Sequence, residues 1–322
     1  MCLNVQIDFK MELSPICLFV YNRPWHTKQT LEVLTKSELA RESKIFVFCD
    51  GPKDPSNSED INAINTVHRI VREVKGFKDV KYFESDINKG LGQSIIDGVS
   101  YVLESHESVI ILEDDHVVHK DFLRYMNFYL SEYKNNKQIM HVGSFQRNSY
   151  LQFFLPKVYV TRYMDCGGWG TWADSWRMLN LDFKLFDDYF SLQHNANRYN
   201  FNKLDHHTYL EKNRLELKTW AVFWHATIAI HNGLSIMPKY SYVKNIGNDG
   251  SGTNEVVKTV DLASNFINKF KPFRPKLKET LLSELYIQDA YAKQSKKRLN
   301  RPKKWLHDIL SGIRNKVIGS TI

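Results

Sequence analysis

Three adjacent acidic residues are the clearest chemical signal in this sequence. Glu113, Asp114 and Asp115 follow the apolar run Val109–Leu112 in "VIILEDDHVVHKDFL". Neighbouring carboxylates repel one another unless a cation binds them or water solvates them. Hard divalent cations such as Mg²⁺ and Mn²⁺ take oxygen ligands, often one or two carboxylates together with substrate phosphates. The triplet therefore indicates either a metal site or a solvated acidic turn ahead of a helix that begins near Asp121.

Other polar residues stand at the ends of further predicted strands. Arg23 follows the apolar run Ile16–Val20, Asp50 ends the run that begins at Ile45, and Asn88 follows "VKYFES". In a parallel sheet the carboxyl ends of the strands lie at one edge, where ligands bind. We therefore expect Arg23, Asp50, Asn88 and the acid triplet to converge at that edge.

Alternating elements would position these residues. Pro24 is suited to the first turn of a helix over "WHTKQTLEVLTKS", and a second helical pattern carries Ile64, Val67 and Ile70 on one face. The pattern "SIIDGVSYVLES" then precedes the strand-like "SVIIL". This succession of strands and helices predicts an α/β fold with a parallel sheet wrapped by helices.

Several stretches carry a resemblance to a known family, and they occur in that family's order. They are "LFVYNRPWHTKQTLEVL", "FVFCDGPK", "INKGLGQSIIDGV", "VIILEDDHVVHKDFLRYMN", "CGGWGTWADSW" and "LSIMPKYSYVKNIGNDGSGT". The chain resembles N-acetylglucosaminyltransferase I and its relatives, and bacterial glycosyltransferases that build capsular and O-antigen polysaccharides. The resemblance implies a GT-A fold, which is a Rossmann-like, mixed but mainly parallel sheet flanked by helices.

The resemblance also implies a division of the chain. Residues 13–255 would form the glycosyltransferase domain, with a nucleotide-sugar-binding half over 13–120 and an acceptor half over 121–255. Residues 256–322 would form a helical, basic C-terminal extension.

Roles toward a nucleotide-sugar donor follow from the same resemblance. Arg23 would contact the diphosphate, for which a guanidinium group is well shaped. Asp50 would accept a hydrogen bond from the uracil edge or the ribose, and Glu113 and Asp114 would line the nucleotide sugar. Asp115 would be the direct ligand of a divalent metal, Mn²⁺ or Mg²⁺, that stabilises the departing diphosphate as a Lewis acid.

Two glycine-rich loops have two interpretations each. "NKGLGQS" lacks the GxxxxGK[ST] spacing of a P-loop. In the family it opens a helix along the donor, but Gly90 and Gly92 could simply make a tight turn. Asn88 is the predicted ligand contact in this loop. "NIGNDGSGT" would be either a mobile lid over the donor or a surface turn.

The acceptor half departs from the family's pattern. An inverting transferase needs a general base, which in N-acetylglucosaminyltransferase I is thought to be an Asp in an aromatic-flanked acidic pair. The matching stretch here, "KTWAVFWHA", has an Ala-Val pair instead. Asp165 and Glu216 are the first candidates for the base, with Asp174 and the pair Asp187–Asp188 as alternatives. Trp169, in "CGGWG", is predicted to stack on a sugar, whereas most other tryptophans should belong to the core.

The net charge of +8 is concentrated near the C-terminus. Between Lys293 and Lys316 nine Lys and Arg residues stand against one acid, which equals the whole excess. The stretch "RPKKWLHDILSGIRNKVI" has an apolar helical stripe flanked by basic residues, a pattern typical of helices on anionic membrane surfaces. A helix packed on the rest of the chain or an oligomer contact is the alternative. The balanced charge of the preceding residues argues against a nucleic-acid partner.

The remaining sequence features favour a cytoplasmic enzyme, peripheral on the inner face of the cell membrane. No apolar run is long enough to span a bilayer, and the first residues lack the apolar core of a signal peptide. The four cysteines, Cys2, Cys17, Cys49 and Cys166, show neither metal-binding nor disulfide spacing.

We therefore expect a metal-dependent, inverting hexosyl- or N-acetylhexosaminyltransferase. It would move a sugar from a nucleotide sugar, UDP-linked, to a glycan or lipid-linked glycan acceptor in surface polysaccharide synthesis. One alternative is a nucleotidyltransferase that makes sugar nucleotides, although "SPICLFVYNRP" lacks the glycine-rich loop expected there. The other is a non-enzymatic nucleic-acid-binding protein that uses the basic segment.

Overall fold

The structure is a computed structural model, and the residues that it describes are 13–201, 204–215, 217, 219–250 and 269–292. Glu216 and the basic segment after residue 292 lie outside the described residues, so what the sequence predicts for them stays a prediction. None of the described helices has the length and apolar character needed to cross a membrane.

Ten strands lie within the described residues. They are β1 (Ile16–Val20), β2 (Lys44–Cys49), β3 (Asp79–Glu84), β4 (Ser108–Glu113), β5 (His116–Val118), β6 (Ile139–Gly143), β7 (Val158–Thr161), β8 (Trp169–Trp172), β9 (Leu234–Pro238) and β10 (Val243–Asn245).

The same residues contain ten α-helices and two short 3₁₀ turns. The helices are α1 (Pro24–Leu34), α2 (Ser58–Glu73), α3 (Leu91–Leu103), α4 (Phe122–Glu132), α5 (Ala173–Trp176), α6 (Phe183–Phe190), α7 (Gln193–Tyr199), α8 (His206–Glu211), α9 (Ala221–Ile230) and α10 (Leu281–Ala292). The 3₁₀ turns are Ala40–Glu42 and Tyr150–Phe154.

One eight-stranded sheet organises the described residues, in the order β3-β2-β1-β4-β8-β6-β9-β7. The strands β1 to β4 are mutually parallel, β8 runs antiparallel to both β4 and β6, and β7 runs antiparallel to β9. A separate two-stranded antiparallel ribbon joins β5 to β10. The predicted fold class, α/β with a mixed but mainly parallel sheet flanked by helices, is confirmed.

Both faces of the sheet are covered, which explains why its central strands are apolar throughout. In β1, Ile16, Leu18 and Val20 belong to a core shared with α1, α2 and α4. Cys17 and Phe19 point to the opposite face and pack in a second core with α3 and four tryptophans. The strand ends at the carboxyl edge therefore rest on a rigid, doubly packed sheet.

Residues 269–292 pack on α4, β7 and the second 3₁₀ turn. Tyr286 of α10 belongs to an apolar cluster with residues of the second 3₁₀ turn and β7. Arg162 forms an ion pair with Glu279, and the hydroxyl of Tyr129 donates to the backbone oxygen of Phe273 at 2.6 Å. These contacts attach residues 269–292 to the part of the chain that contains α4, β7 and the second 3₁₀ turn, and the predicted division of the chain stays a prediction.

Candidate functional site

The acid triplet lies in the turn between β4 and β5. Glu113 is the last residue of β4, and Asp114 and Asp115 follow it with only 4% and 7% of their surface exposed. The hydroxyl of Thr30, in α1, donates to the backbone oxygen of Asp114 at 2.7 Å and holds the turn against the helix. The triplet thus occupies the carboxyl edge of the parallel strands, as its position after an apolar strand predicts.

Arg23, at the end of β1, is in direct contact with these acids. Its Nη2 forms an ion pair with Oδ1 of Asp114 and lies 3.1 Å from Oδ2 of Asp115, and its Nε donates to Oδ2 of Asp114 at 3.3 Å. The guanidinium group predicted to meet a diphosphate therefore already balances part of the carboxylate charge. One arginine beside three carboxylates leaves the cluster negative when all three are ionised.

The crowding of the acids shows in their pKa values. Burial, and then the charges of Asp115 and Asp114, raise the pKa of Glu113 to about 8. Burial also raises the pKa of Asp114 to about 6, although Arg23 opposes the change. The Glu113 carboxyl is therefore largely protonated at neutral pH unless another cation is present. A divalent cation nearby would favour the ionised form of each carboxyl.

Glu113, Asp115 and His116 form a candidate metal-binding group. One ligand atom from each of the three lies within 4.8 Å of the other two. Oδ1 of Asp115 is buried, and within the described part of the chain it accepts no hydrogen bond. Because buried carboxylate oxygens are normally satisfied, this atom is fit to take a hard cation such as Mg²⁺ or Mn²⁺.

His116 is the member of this group that sequence reasoning missed, because it belongs to no HExxH-like spacing. Its Nδ1 accepts from the backbone N–H of Glu113 at 3.1 Å, which assigns the ring proton to Nε2. Nε2 lies 3.5 Å from Oδ1 of Asp115. Burial lowers the pKa of His116, so that the ring is neutral. In this tautomer Nε2 carries a proton and offers no lone pair to a metal, so His116 lies beside the Asp115 carboxylate without being a ligand itself. Its place directly after the triplet was the available signal.

The residues after β10 cover the acid turn. The backbone N–H of Ile246 donates to the backbone oxygen of Asp115 at 2.9 Å. A Cβ at Gly247 would overlap Oδ2 of Asp115 and would lie 2.8 Å from Nη1 of Arg23. Only glycine allows the backbone to approach so closely. The described part of "NIGNDGSGT" therefore lies directly over the candidate metal site, and its end lies outside the described residues.

Asp50 and Asn88 hold the glycine loop beside the ends of β2 and β3. Oδ1 of Asp50 accepts from the backbone N–H groups of Gly51 at 3.0 Å and Lys89 at 2.8 Å, and its Oδ2 accepts from Gly90 at 2.9 Å. Nδ2 of Asn88 donates to the backbone oxygen of Gly51 at 2.8 Å. Gly90 has φ of +76°, a conformation natural to glycine. The shape of the loop depends on both side chains, and their contacts with a donor stay predictions.

Asp165 is a buried carboxylate near the acid turn. Its charge adds to the effect of burial and of the neighbouring acids in raising the pKa of Glu113. Oδ1 of Asp165 accepts from the backbone N–H of Gly167 at 2.9 Å, and Oδ2 accepts from the hydroxyl of Tyr291 in α10. These two hydrogen bonds fix the orientation of the carboxylate.

The other candidates for the base lie elsewhere. Asp174 forms ion pairs with Lys137 and Arg177 on the surface, and Asp187 pairs with the exposed Arg214. Glu216 is outside the described residues. Of Asp165, Asp174 and Asp187, Asp165 is the one whose charge acts on the pKa of Glu113 in the acid turn.

Trp169 lies in the core. The side chain is 0% exposed, and its ring packs against Trp220 with the ring centroids 4.6 Å apart and against His141 at 5.5 Å. A fully buried ring has no face on which a sugar could stack. This position does not support the role that the sequence suggests for Trp169, and Trp169 has no part in the function proposed below.

Comparison with known proteins adds little. No protein-family model and no curated protein matches the chain. Among solved structures, the chain is similar to mannosyltransferase PcManGT from Pyrobaculum calidifontis in complex with GDP-Man and Mn²⁺, with 11% identity over 49% of this chain and 44% of that one and a TM-score of 0.34. It is also similar to residues 1–349 of S. aureus TarS, with 13% identity over 71% and 59% of the two chains and a TM-score of 0.41.

A third similar structure is a UDP-glucose pyrophosphorylase complexed with UDP-glucose, with 13% identity over 52% of this chain and 79% of that one and a TM-score of 0.33. The chain spans less than two thirds of the length of the first two structures. At these identities and TM-scores the likeness assigns no function.

Proposed function

We propose that this chain is a metal-dependent glycosyltransferase. It moves a hexosyl or N-acetylhexosaminyl group, with inversion, from a UDP-linked sugar to a glycan or lipid-linked glycan of a surface polysaccharide. The observation that carries the proposal is the buried carboxylate cluster at the end of β4, with Oδ1 of Asp115 unsatisfied within the described residues. The sequence resemblance supplies the class of donor and acceptor.

On the donor side, Asp115 and Glu113 would hold Mn²⁺ or Mg²⁺. When bound, the ion supplies Lewis-acid stabilisation of the departing nucleoside diphosphate. Arg23 keeps the two aspartates in place and carries a guanidinium group suited to diphosphate oxygens. Asp50 and Asn88 shape the loop against which the nucleoside would bind.

On the acceptor side, Asp165 takes the proton of the acceptor hydroxyl. The oxygen of that hydroxyl attacks the anomeric carbon of the donor sugar. Tyr291 donates to Oδ2 of Asp165 and orients it. Glu216 is the second candidate for this role. The basic segment 293–322 would bind the anionic membrane surface on which a lipid-linked acceptor resides, and no nucleic acid takes part.

The test is a screen of nucleotide sugars with and without Mn²⁺, in which the release of nucleoside diphosphate is measured. We expect turnover that needs the metal and that Asp115→Ala abolishes, while Asp165→Asn abolishes turnover but keeps metal-linked thermal stabilisation. Asp174→Asn, a change in a surface carboxylate, is the control and should be fully active.

Two results would count against the proposal. Undiminished turnover by Asp115→Ala would remove its electrostatic basis. Release of pyrophosphate from a nucleoside triphosphate and a sugar phosphate, without sugar transfer, would identify a nucleotidyltransferase instead.

A further inference from the structure

The 3₁₀ turn Tyr150–Phe154 displays three aromatic side chains that the proposed function does not use. Tyr150, Phe153 and Phe154 are 78%, 75% and 67% exposed, and we name these three residues the aromatic ridge. The rings of Phe153 and Phe154 lie edge to face with their centroids 5.5 Å apart. Single exposed apolar residues are ordinary, but adjacent large ones mark a surface that contacts something other than water.

The ridge is held in place by the residues between and around it. Leu151 and Leu155 point inward and pack with α10 in a buried cluster. Nε2 of Gln152 donates to the backbone oxygen of Lys239 at 2.6 Å, and the hydroxyl of Ser149 donates to Asp289 of α10 at 2.6 Å. These apolar and hydrogen-bonding contacts lie on the inner side of the turn. They hold its backbone in place, so that the aromatic rings point outward.

Two lysines flank the ridge. Nζ of Lys239 donates to the backbone oxygen of Phe153 at 2.6 Å and lies 5.3 Å from the centroid of the Phe153 ring. The backbone N–H of Lys239 donates to the oxygen of Lys157, whose side chain is exposed beside the turn. Aromatic rings with lysines at their margin are typical of protein surfaces that sit at the interface between lipid and water.

We propose that the aromatic ridge inserts into the headgroup region of an anionic lipid bilayer, with Lys157 and Lys239 against the lipid phosphates. Phe side chains gain free energy on leaving water, and lysines gain from the negative surface potential of anionic lipid.

The same features argue against two other partners for the aromatic ridge, a second copy of the chain and a glycan. In a two-fold contact between copies of the chain each lysine would approach the lysines of its partner, and three side chains are far fewer than a stable dimer interface needs. A glycan site is concave, whereas these side chains protrude.

The position of the ridge suits a membrane-bound chain. The helix α10 packs under the ridge through Tyr286, whose hydroxyl donates to the backbone oxygen of Arg147 at 2.7 Å. The chain then continues into the segment with nine Lys and Arg residues. Insertion of the ridge would therefore add an apolar contact to the electrostatic one predicted for that segment. The proposal does not depend on the proposed function, because binding to lipid requires no turnover.

The test is co-sedimentation of the full chain with vesicles of phosphatidylcholine, alone or with phosphatidylglycerol, at low salt and at about 0.5 M salt, where attraction by the basic segment is screened. The double variant Phe153→Ser/Phe154→Ser removes the ridge. Tyr82→Ser/Tyr101→Ser removes two other exposed aromatic residues, 47% and 48% exposed, and is the matched control. We expect the ridge variant to bind about tenfold more weakly than the wild type at the higher salt, and the control to match the wild type.

A second variant tests whether the positive charge beside the aromatic ridge contributes to binding of anionic lipid. Lys157→Glu should weaken binding to vesicles that contain phosphatidylglycerol at low salt and leave binding to pure phosphatidylcholine unchanged. Circular dichroism and thermal unfolding check that each variant is folded.

Three results would overturn the proposal. The first is equal binding of the wild type and the ridge variant to every vesicle. The second is self-association in sedimentation velocity that the ridge variant loses while lipid binding stays the same, which would make the ridge a contact between copies. The third is loss of binding to a soluble polysaccharide by the ridge variant, without any change toward lipid.

Discussion

At the scale of single residues, the three carboxyl groups of the acid triplet differ in what surrounds them and in their charge state. Asp114 is paired with Arg23 through both of its carboxylate oxygens. Glu113, whose pKa burial and its neighbours raise to about 8, is largely protonated at neutral pH. Asp115 has one oxygen near Arg23 and the other without a hydrogen bond in the described part of the chain. Of the three, Asp115 therefore has most to gain from a bound cation.

Asp115→Asn tests whether the carboxylate of Asp115 binds a metal ion. The amide has nearly the same size as the carboxylate but no charge, so the fold should survive while the affinity for Mn²⁺ falls at least about tenfold. Thermal unfolding with increasing Mn²⁺ measures the effect as a lost rise in the unfolding temperature. Asp174→Asn should behave as the wild type. An equal rise for wild type and Asp115→Asn would show that the metal binds elsewhere.

Gly247→Ala tests the close contact between the loop after β10 and the carboxylate of Asp115. The added methyl group would overlap Oδ2 of Asp115, so we expect the covering loop or Asp115 to be displaced and turnover to fall, with the protein still folded. Gly250→Ala is the matched control, because a Cβ there comes within 4 Å of no atom of the described residues, although its φ of +89° is strained for alanine. Steady-state turnover and circular dichroism of the two variants decide whether contact with Asp115 matters. Equal effects of the two changes would indicate general loop strain instead.

At the scale of elements, the parallel strands and their ends could be predicted and the packing of side chains could not. Apolar runs broken by "YNRP", "CDGP" and the acids predict β1, β2 and β4, and the rule for parallel sheets predicts one common edge. No pattern shows that Arg23 pairs with the acids, because the contact joins residues 91 positions apart. The sequence around Trp169 does not predict its burial either, because a tryptophan between glycines fits a core or a binding site equally well.

The contact of the C-terminal segment with the acceptor half could not be predicted for the same reason. Within the described residues, Arg162 forms ion pairs with Glu279 and Glu284 of this segment, and Arg274 of this segment pairs with Glu132. The side chains of Arg162 and Glu279 are only 10% and 15% exposed, whereas those of Arg274 and Glu132 are 67% and 29% exposed. Nothing in the composition distinguishes the pair that is buried from the pair that is solvated.

Glu279→Gln tests whether α10 and its preceding loop are part of the acceptor half. Arg162 would keep its charge in a buried place with only the more distant carboxylate of Glu284, 3.7 Å from its Nη2, so the free energy of unfolding should fall by up to about 3 kcal/mol. Urea unfolding followed by circular dichroism measures it. Glu132→Gln, in the exposed pair, should change the free energy of unfolding much less. If the two variants were equally stable, residues 269–292 would contribute little to the stability of the core.

At the scale of the whole molecule, buried histidines decide how stability changes with pH. Burial lowers the pKa of His141 to about 3 and that of His206 to about 4, and it lowers the pKa of His225 well below the ordinary range. Each group binds a proton more readily in the unfolded chain, so stability is lost as the pH falls below about 6.5. Glu113 and Asp114, whose pKa values are raised, act in the opposite direction. The pKa of His116 is also lowered by burial, so the histidines outnumber the two carboxyls and we expect net destabilisation between pH 6.5 and pH 5.

His141→Gln isolates one part of this dependence. Nδ1 of His141 accepts from Nε1 of Trp224 at 3.3 Å, a contact that the amide oxygen of glutamine can keep while the titrating group is lost. The free energy of unfolding, measured in urea from pH 7.5 to pH 5, should then fall less steeply, by up to about 1.4 kcal/mol per pH unit. The change of slope is the quantity that matters, because repacking beside Trp169 alters the stability at every pH alike. His194→Gln, on the surface, should leave the slope unchanged. If both variants kept the slope of the wild type, the acid sensitivity would come from groups other than His141, and burial would not lower the pKa of His141 in the folded chain.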